Sequence, residues 1–159
     1  MDGYRSDPEV CRYQGFEPGS LDDVEAFIDR VQANAFDTPG SWFQFGIRLQ
    51  ESGVLVGDLG THVMAEDPRQ VEIGVTLAPA HQGQGLATEA VSCLLGHLLG
   101  PVGKHRVFAS VDPRNVPCIK LLERVGMRQE AHVRQSLWLK GEWVDDMVFG
   151  ILASELPRR

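Results

Sequence analysis

The chain is poor in the features that would tie it to a metal, a membrane or a nucleic acid. Its three cysteines, Cys11, Cys93 and Cys118, are widely spaced, with no CxxC pair and no Cys/His cluster at zinc-ligand spacing. An odd, scattered set points to a reduced compartment, and a cytoplasmic location is the expectation. No apolar run reaches the length of a membrane span. The polar start, with Asp2, Arg5, Asp7 and Glu9, is no signal peptide. Basic charge is scarce as well: 15 Lys and Arg face 22 Asp and Glu, a formal net charge of −7. That balance lacks the electrostatic footprint on which nucleic-acid binding rests, and it disfavours docking on anionic lipid. Internal repeats, low-complexity tracts and linker-like Gly/Pro blocks are missing, so residues 1–159 read as one domain. A chain of this length buries about 70% of its unfolded surface, so it needs no disulfide or metal to fold.

What the sequence does have is periodicity. Ser20 reads as a helix N-cap with Asp23 as its reciprocal partner, and Val24, Phe27, Ile28 and Val31 follow helical spacing over 21–34. Three strand-like runs follow, Trp42–Leu49, Val54–Val63 and Gln70–Ala78, separated by turns at Glu51-Ser52-Gly53 and Glu66-Asp67-Pro68-Arg69. A second helix spans 84–99, with Leu86, Ala90, Leu94 and Leu98 on one stripe and Gly100-Pro101 as its stop. Then come a strand at Arg106–Val111, a helix capped by Asn115 and closed by Gly126, and two strands near 127–139 and 144–152 around Lys140-Gly141-Glu142. Strand–helix–strand over 70–111 predicts one parallel pair with a right-handed crossover, and the hairpins predict antiparallel pairing elsewhere. The fold class is α/β with a mixed (α+β) sheet, not a doubly wound one.

One segment carries chemistry. After the strand ends at Pro79, Gln82-Gly83-Gln84-Gly85-Leu86-Ala87-Thr88 turns directly into a helix. Such a turn aims successive backbone N–H groups and the positive end of the helix dipole at one point, which suits a phosphate or pyrophosphate. A P-loop would need Lys and Ser or Thr after the last glycine, where Leu86-Ala87 stands. A dinucleotide fingerprint would need a small residue in place of Thr88 and an acidic residue about 20 positions on, and neither is present. Without further signals, a plain strand–helix turn is an equal alternative. No HExxH and no G-x-S-x-G occurs, so neither a zinc protease nor a serine hydrolase fits, and no metal site is expected.

These residues resemble the GNAT N-acetyltransferases. Gln82-Gly-Gln-Gly85-Leu-Ala87 matches their Q/R-x-x-G-x-G/A signature. Glu72-Ile-Gly and Leu77-Ala-Pro79 look like the preceding strand, and Asn115-Val-Pro-Cys118 to Gly126-Met127 looks like the N-x-x-S helix. Together they resemble the RimJ/RimL-like branch, whose members acetylate protein N-termini. The resemblance implies a splayed sheet with acetyl-CoA in the gap. Its pyrophosphate would lie on the amides of residues 83–88, its pantetheine arm along the backbone at Leu77 and Ala78, with Asn115 reaching the same arm. The implied partners are acetyl-CoA and an amine acceptor.

Acetyl transfer to an amine requires removal of a proton from the ammonium form. Glu72 stands where the resemblance places the catalytic carboxylate; the alternative is an ordinary ion-pair partner. Cys118 replaces the motif's Ser in a first helical turn, where the dipole is expected to lower a thiol pKa, so it is a candidate acid; the alternative is a packing residue. The tyrosine that many members carry seven residues after the Asn is Leu122 here. Asp22, Asp23 and Glu25 are candidates for an acidic cleft rim. The family's first strand has no counterpart ahead of the first helix, so the strand at 42–49 is expected to be a sheet edge, covered by residues 1–16 or paired with a second copy in a homo-oligomer. The acceptor alternatives are a protein N-terminus and a small amine such as a polyamine, amino sugar or antibiotic. A non-catalytic acyl-CoA-binding module is the reading from another class.

Overall fold

The computed structural model describes residues 2–14 and 20–157. Short helices α1 (Asp2–Arg5) and α2 (Pro8–Cys11) precede α3 (Leu21–Gln32). Strands β1 (Trp42–Arg48), β2 (Leu55–Val63) and β3 (Gln70–Leu77) lead to α4 (Leu86–Leu99). Strand β4 (Arg106–Val111), α5 (Val116–Arg124), β5 (Arg128–Leu139) and β6 (Glu142–Leu152) complete the chain. The sheet has six strands in the order β1-β2-β3-β4-β6-β5. Only β3 and β4 are parallel; the other neighbours are antiparallel. This is the mixed sheet expected from the order of elements.

Local chemistry accounts for the element ends. Ser20 Oγ accepts the Asp23 N–H at 3.2 Å while the Asp23 carboxylate accepts the Ser20 N–H at 2.9 Å, a reciprocal cap on α3. Asn115 caps α5 by accepting the Cys118 N–H, and Pro117 occupies the first turn, where no intrahelical donor is needed. Helix α4 starts at Leu86, two residues later than its hydrophobic stripe suggests, so Gln84 and Gly85 belong to the loop.

The sheet's two faces differ. Val71 and Ile73 of β3, Val107 and Ala109 of β4, and Phe149 and Ile151 of β6 are buried against Val91, Leu94, Leu95 and Leu98 of α4. Each buried aliphatic side chain contributes about 1.5–3 kcal/mol. The alternate residues, including His62, Glu72 and Asp58, point to the opposite face. There α1 is anchored: Tyr4 Oη donates to Asp58 Oδ2 at 2.5 Å, and Arg5 donates to Oδ1 at 2.7 Å and Oδ2 at 3.2 Å. Burial and the Asp58 carboxylate push the Tyr4 phenol well above its ordinary range. Asp58→Ala leaves Arg5 and Tyr4 buried without their shared acceptor, so it should cost about 3–5 kcal/mol. A calorimetric melting point about 10 °C lower checks this.

Strand β1 lies at the sheet edge, as expected, and no strand among the described residues pairs with its outer side. Cover of that edge by the N-terminal segment does not match residues 2–14, since α1 engages Asp58 on the face of β2 instead. No helix among the described residues is long and apolar enough to cross a membrane.

Candidate active site

Strands β3 and β4 pair only at Gln70–Arg106, Val71–Val107 and Glu72–Phe108, then separate. Beyond Glu72, β3 is held by β2 alone, down to Leu77 opposite Gly57. Ala78 turns its N–H to Val56 O at 2.8 Å, so even-numbered residues of β3 spend their backbone groups on β2. By alternation, Ile73, Val75 and Leu77 turn their N–H and C=O toward the gap. The gap is an open cleft whose lining includes Gly74, Val75, Ser110, Asn115, Cys118 and Leu122. The splayed sheet is thus present. The backbone assignment changes in one detail: Leu77 faces the gap, whereas Ala78 does not. Leu77 O already accepts from Gln82 Nε2 at 3.0 Å, which leaves Val75 as the more open edge.

The loop after β3 has the form the sequence indicates. Pro79–His81 makes one 3-10 turn, and Gln84 Nε2 closes back on Ala80 O at 3.3 Å. Gly83 and Gly85 have φ of +76° and +78°, and a Cβ on either would meet nothing within 4 Å. Their side of the loop is therefore open space beside bare backbone. Gly85 is the N-cap of α4, and no side chain caps that helix. The first-turn amides of Leu86, Ala87 and Thr88 therefore lack a side-chain acceptor, the arrangement that takes an anion. Arg124 from α5 donates to Thr88 Oγ1 at 3.3 Å and brings a cation to this end, a contact that no local motif announces. The open β3 edge and these amides together fit the pantetheine and pyrophosphate of acetyl-CoA.

The opposite wall comes from β4 and α5. Arg114 donates to Asp112 Oδ1 and Oδ2 at 3.0 and 2.7 Å and to Glu142 at 3.0 Å, which fixes the turn that aims Asn115 and Cys118 into the cleft. The guanidinium holds the Asp112 carboxyl below the usual range. Cys118 departs from expectation. Burial pushes its thiol up to about 11, the opposite of the lowering expected from the helix dipole. Desolvation of the thiolate outweighs the dipole of a nine-residue helix.

Glu72 stands at the crotch of the splay, the last residue of β3 paired to β4. Its side chain is 27% exposed, on the face opposite the core, with His62 Nδ1 4.0 Å from Oε2. Its pKa is raised, chiefly by burial; Asp146 adds to the rise and His62 opposes it. Gly74, two residues on, leaves open space on the same face. Asp22, Asp23 and Glu25 do not form an acidic rim: they are exposed on α3 and absent from the cleft lining. Asp23 is held below the carboxylate range by its bonds to Ser20. The structure adds Tyr13 and Gln14, which line the cleft, Gln14 Nε2 lying 3.5 Å from Val75 O. Neither carries a sequence signal, because the chain brings them in from 61 residues away.

The family profile described as Acetyltransferase (GNAT) domain matches residues 2–128. The uncharacterized N-acetyltransferase p20 of Bacillus licheniformis is 32% identical over 153 residues, 96% of this chain and 85% of that protein. The [ribosomal protein uS5]-alanine N-acetyltransferase of Escherichia coli is 26% identical over 116 residues, 72% of this chain and 60% of that protein. The crystal structure of Mycobacterium smegmatis RimJ in complex with CoA-disulfide matches with a TM-score of 0.82 at 28% identity, over 94% of this chain and 73% of that one. The splayed parallel pair, the uncapped glycine loop and these likenesses agree: the chain belongs to the GNAT family, near its RimJ-like bacterial members, and is an acetyl-CoA-dependent N-acetyltransferase.

Proposed function

We propose that the acceptor is the α-amino group of a protein N-terminus and that Glu72 is the base that frees it. The observation that carries the reading is the half-buried carboxylate at the crotch of the splay, its pKa raised by desolvation. An α-amino group titrates near 8, against about 10.4 for a lysine-like amine. A carboxylate of modestly raised pKa suits the weaker amine, much of which is already neutral near pH 8. The relative described as a [ribosomal protein uS5]-alanine N-acetyltransferase supports a protein acceptor.

Acetyl-CoA supplies the thioester that the amine attacks. The chain's own residues do the rest. The amides of Gly83 to Thr88 hold the pyrophosphate, with Arg124 beside them, and the open edge at Val75 and Leu77 pairs with the pantetheine amides. The Asn115 side chain, which caps α5 through its oxygen, turns its amide to the same arm. The Val75 N–H, on the gap side, steadies negative charge on the carbonyl oxygen. Glu72 takes the ammonium proton directly or through one water. Gly74 leaves space for the acceptor beside Glu72. Cys118, kept as a neutral thiol by burial, packs the wall and is at most a weak acid toward the departing thiolate.

The test is thiol release from acetyl-CoA by the purified chain, offered peptides with free or blocked N-termini, spermidine and an amino sugar. Turnover with free N-termini and none with blocked ones is the expected result. Turnover confined to spermidine or the sugar overturns the acceptor class.

A further inference from the structure

We propose that His62 and Asp146 are positioning residues of the Glu72 base: the His62 imidazole stands beside the carboxylate on β2, and the Asp146 carboxylate shares its face from β6. The inference deepens the reading of Glu72 as the base and rests on it. His62 and Glu72 are direct cross-strand partners on β2 and β3. Their separation of 4.0 Å is too long for a hydrogen bond and short for a charge pair. The imidazole is held in place. Trp42, opposite His62 on β1, stacks on it at 5.0 Å with 15° between the planes. Gly60 makes room for that stack, since a Cβ there would meet the Trp42 ring at 3.1 Å.

Asp146 lies on the same face as Glu72, on β6 across β4. Phe108 lies opposite Glu72, so Ser110, two residues further along β4, shares its face. The Ser110 hydroxyl donates to Asp146 Oδ1 and fixes that carboxylate. Among the described residues on this face, Arg106 pairs with Glu130 at 2.5 Å and Arg5 with Asp58 at 2.7 Å. From β1 only the uncharged Trp42 faces His62. Among the described residues, His62 and Asp146 act on Glu72 in opposite senses, after burial, which is the largest cause of its raised pKa. His62 lies on β2, one strand further from the gap than Glu72, and is absent from the cleft lining.

The signs make the test discriminating. Activity requires the Glu72 carboxylate, so the rate rises with pH through its pKa. His62→Gln removes the imidazole that opposes the rise in the Glu72 pKa and should move the acidic limb of kcat up by about 0.2–0.7 unit. Asp146→Asn should move it down by about as much. His62→Lys, which places a cation there, should hold the limb at or below its wild-type position. The ¹³C titration of the Glu72 carboxyl, followed in the full chain without substrate, should shift the same way in each variant. A merely structural role would shift both variants in one direction or neither, and either outcome overturns the proposal, as does an unmoved Glu72 titration. The base reading fails separately, if Glu72→Gln turns over at the wild-type rate.

Discussion

A Gly85→Val protein is expected to fold and to lose acetyl-CoA. Gly85 has φ +78° and caps α4, and its missing side chain borders open space, so valine meets no neighbour within the protein. Two effects converge on the cofactor. Valine in the left-handed region costs about 1–2 kcal/mol and is relieved by remodelling the loop. The remodelled loop, or the side chain itself, takes the space beside the first-turn amides. Each hydrogen bond to a charged group is worth about 1.5–3 kcal/mol, so losing two weakens binding by roughly 100-fold or more. Gly103→Val is the control. It has the same kind of backbone, φ +79°, and the same open surroundings, but it lies in the turn after α4, away from the loop. Calorimetric titration with CoA should show near wild-type affinity for Gly103→Val and little binding for Gly85→Val. Equal affinity in the two would move the cofactor elsewhere.

The second large effect concerns the chemical step. Glu72→Gln keeps the shape of the side chain on β3 and removes its ability to take a proton. Loss of a general base typically lowers the rate by about 10²–10⁴-fold. The affinity for acetyl-CoA should stay within about twofold, because the loop amides proposed to hold the pyrophosphate lie beyond the far end of β3. In the wild-type protein the acidic limb of kcat should lie above the ordinary carboxylate range, since burial raises the Glu72 pKa. In the variant that limb should vanish, while an acceptor-amine limb near pH 8 remains. Steady-state kinetics across pH, paired with calorimetry on the same preparations, separates a lost base from a lost binding site.

Much of this architecture was legible because its causes are local. The shape of the glycine loop from Gln82 to Thr88 is set locally: two left-handed glycines and a helix without a side-chain cap follow a strand, and sequence spacing encodes that. The reciprocal cap of Ser20 and Asp23, the Asn115 cap and the alternation that buries Val71 and Ile73 while turning Glu72 away are likewise set within a few residues. The hairpin pairings and the one parallel pair followed from the turns and the crossover, whereas the place of β6 rather than β5 beside β4 did not.

Tertiary structure decided what depends on distance across the sheet and on water. The splay begins after Glu72 because pairing to β4 stops there, which no property of either strand's sequence states. Cys118 looked activated from its place in a helix, yet its surroundings remove water, and desolvation of a thiolate outweighs a short dipole. Asp22, Asp23 and Glu25 looked like a cleft rim by charge, but the packing of α3 leaves them in solvent. The neighbours of Glu72 and of the cleft, His62, Asp146, Tyr13 and Gln14, come from three other stretches of chain, and only folding brings them within reach. Sequence determined the elements and the anion-binding loop because backbone conformation is a short-range property. The electrostatics of the site depended on the fold, because a charge responds to whatever stands within a few ångströms of it, wherever that lies in the chain.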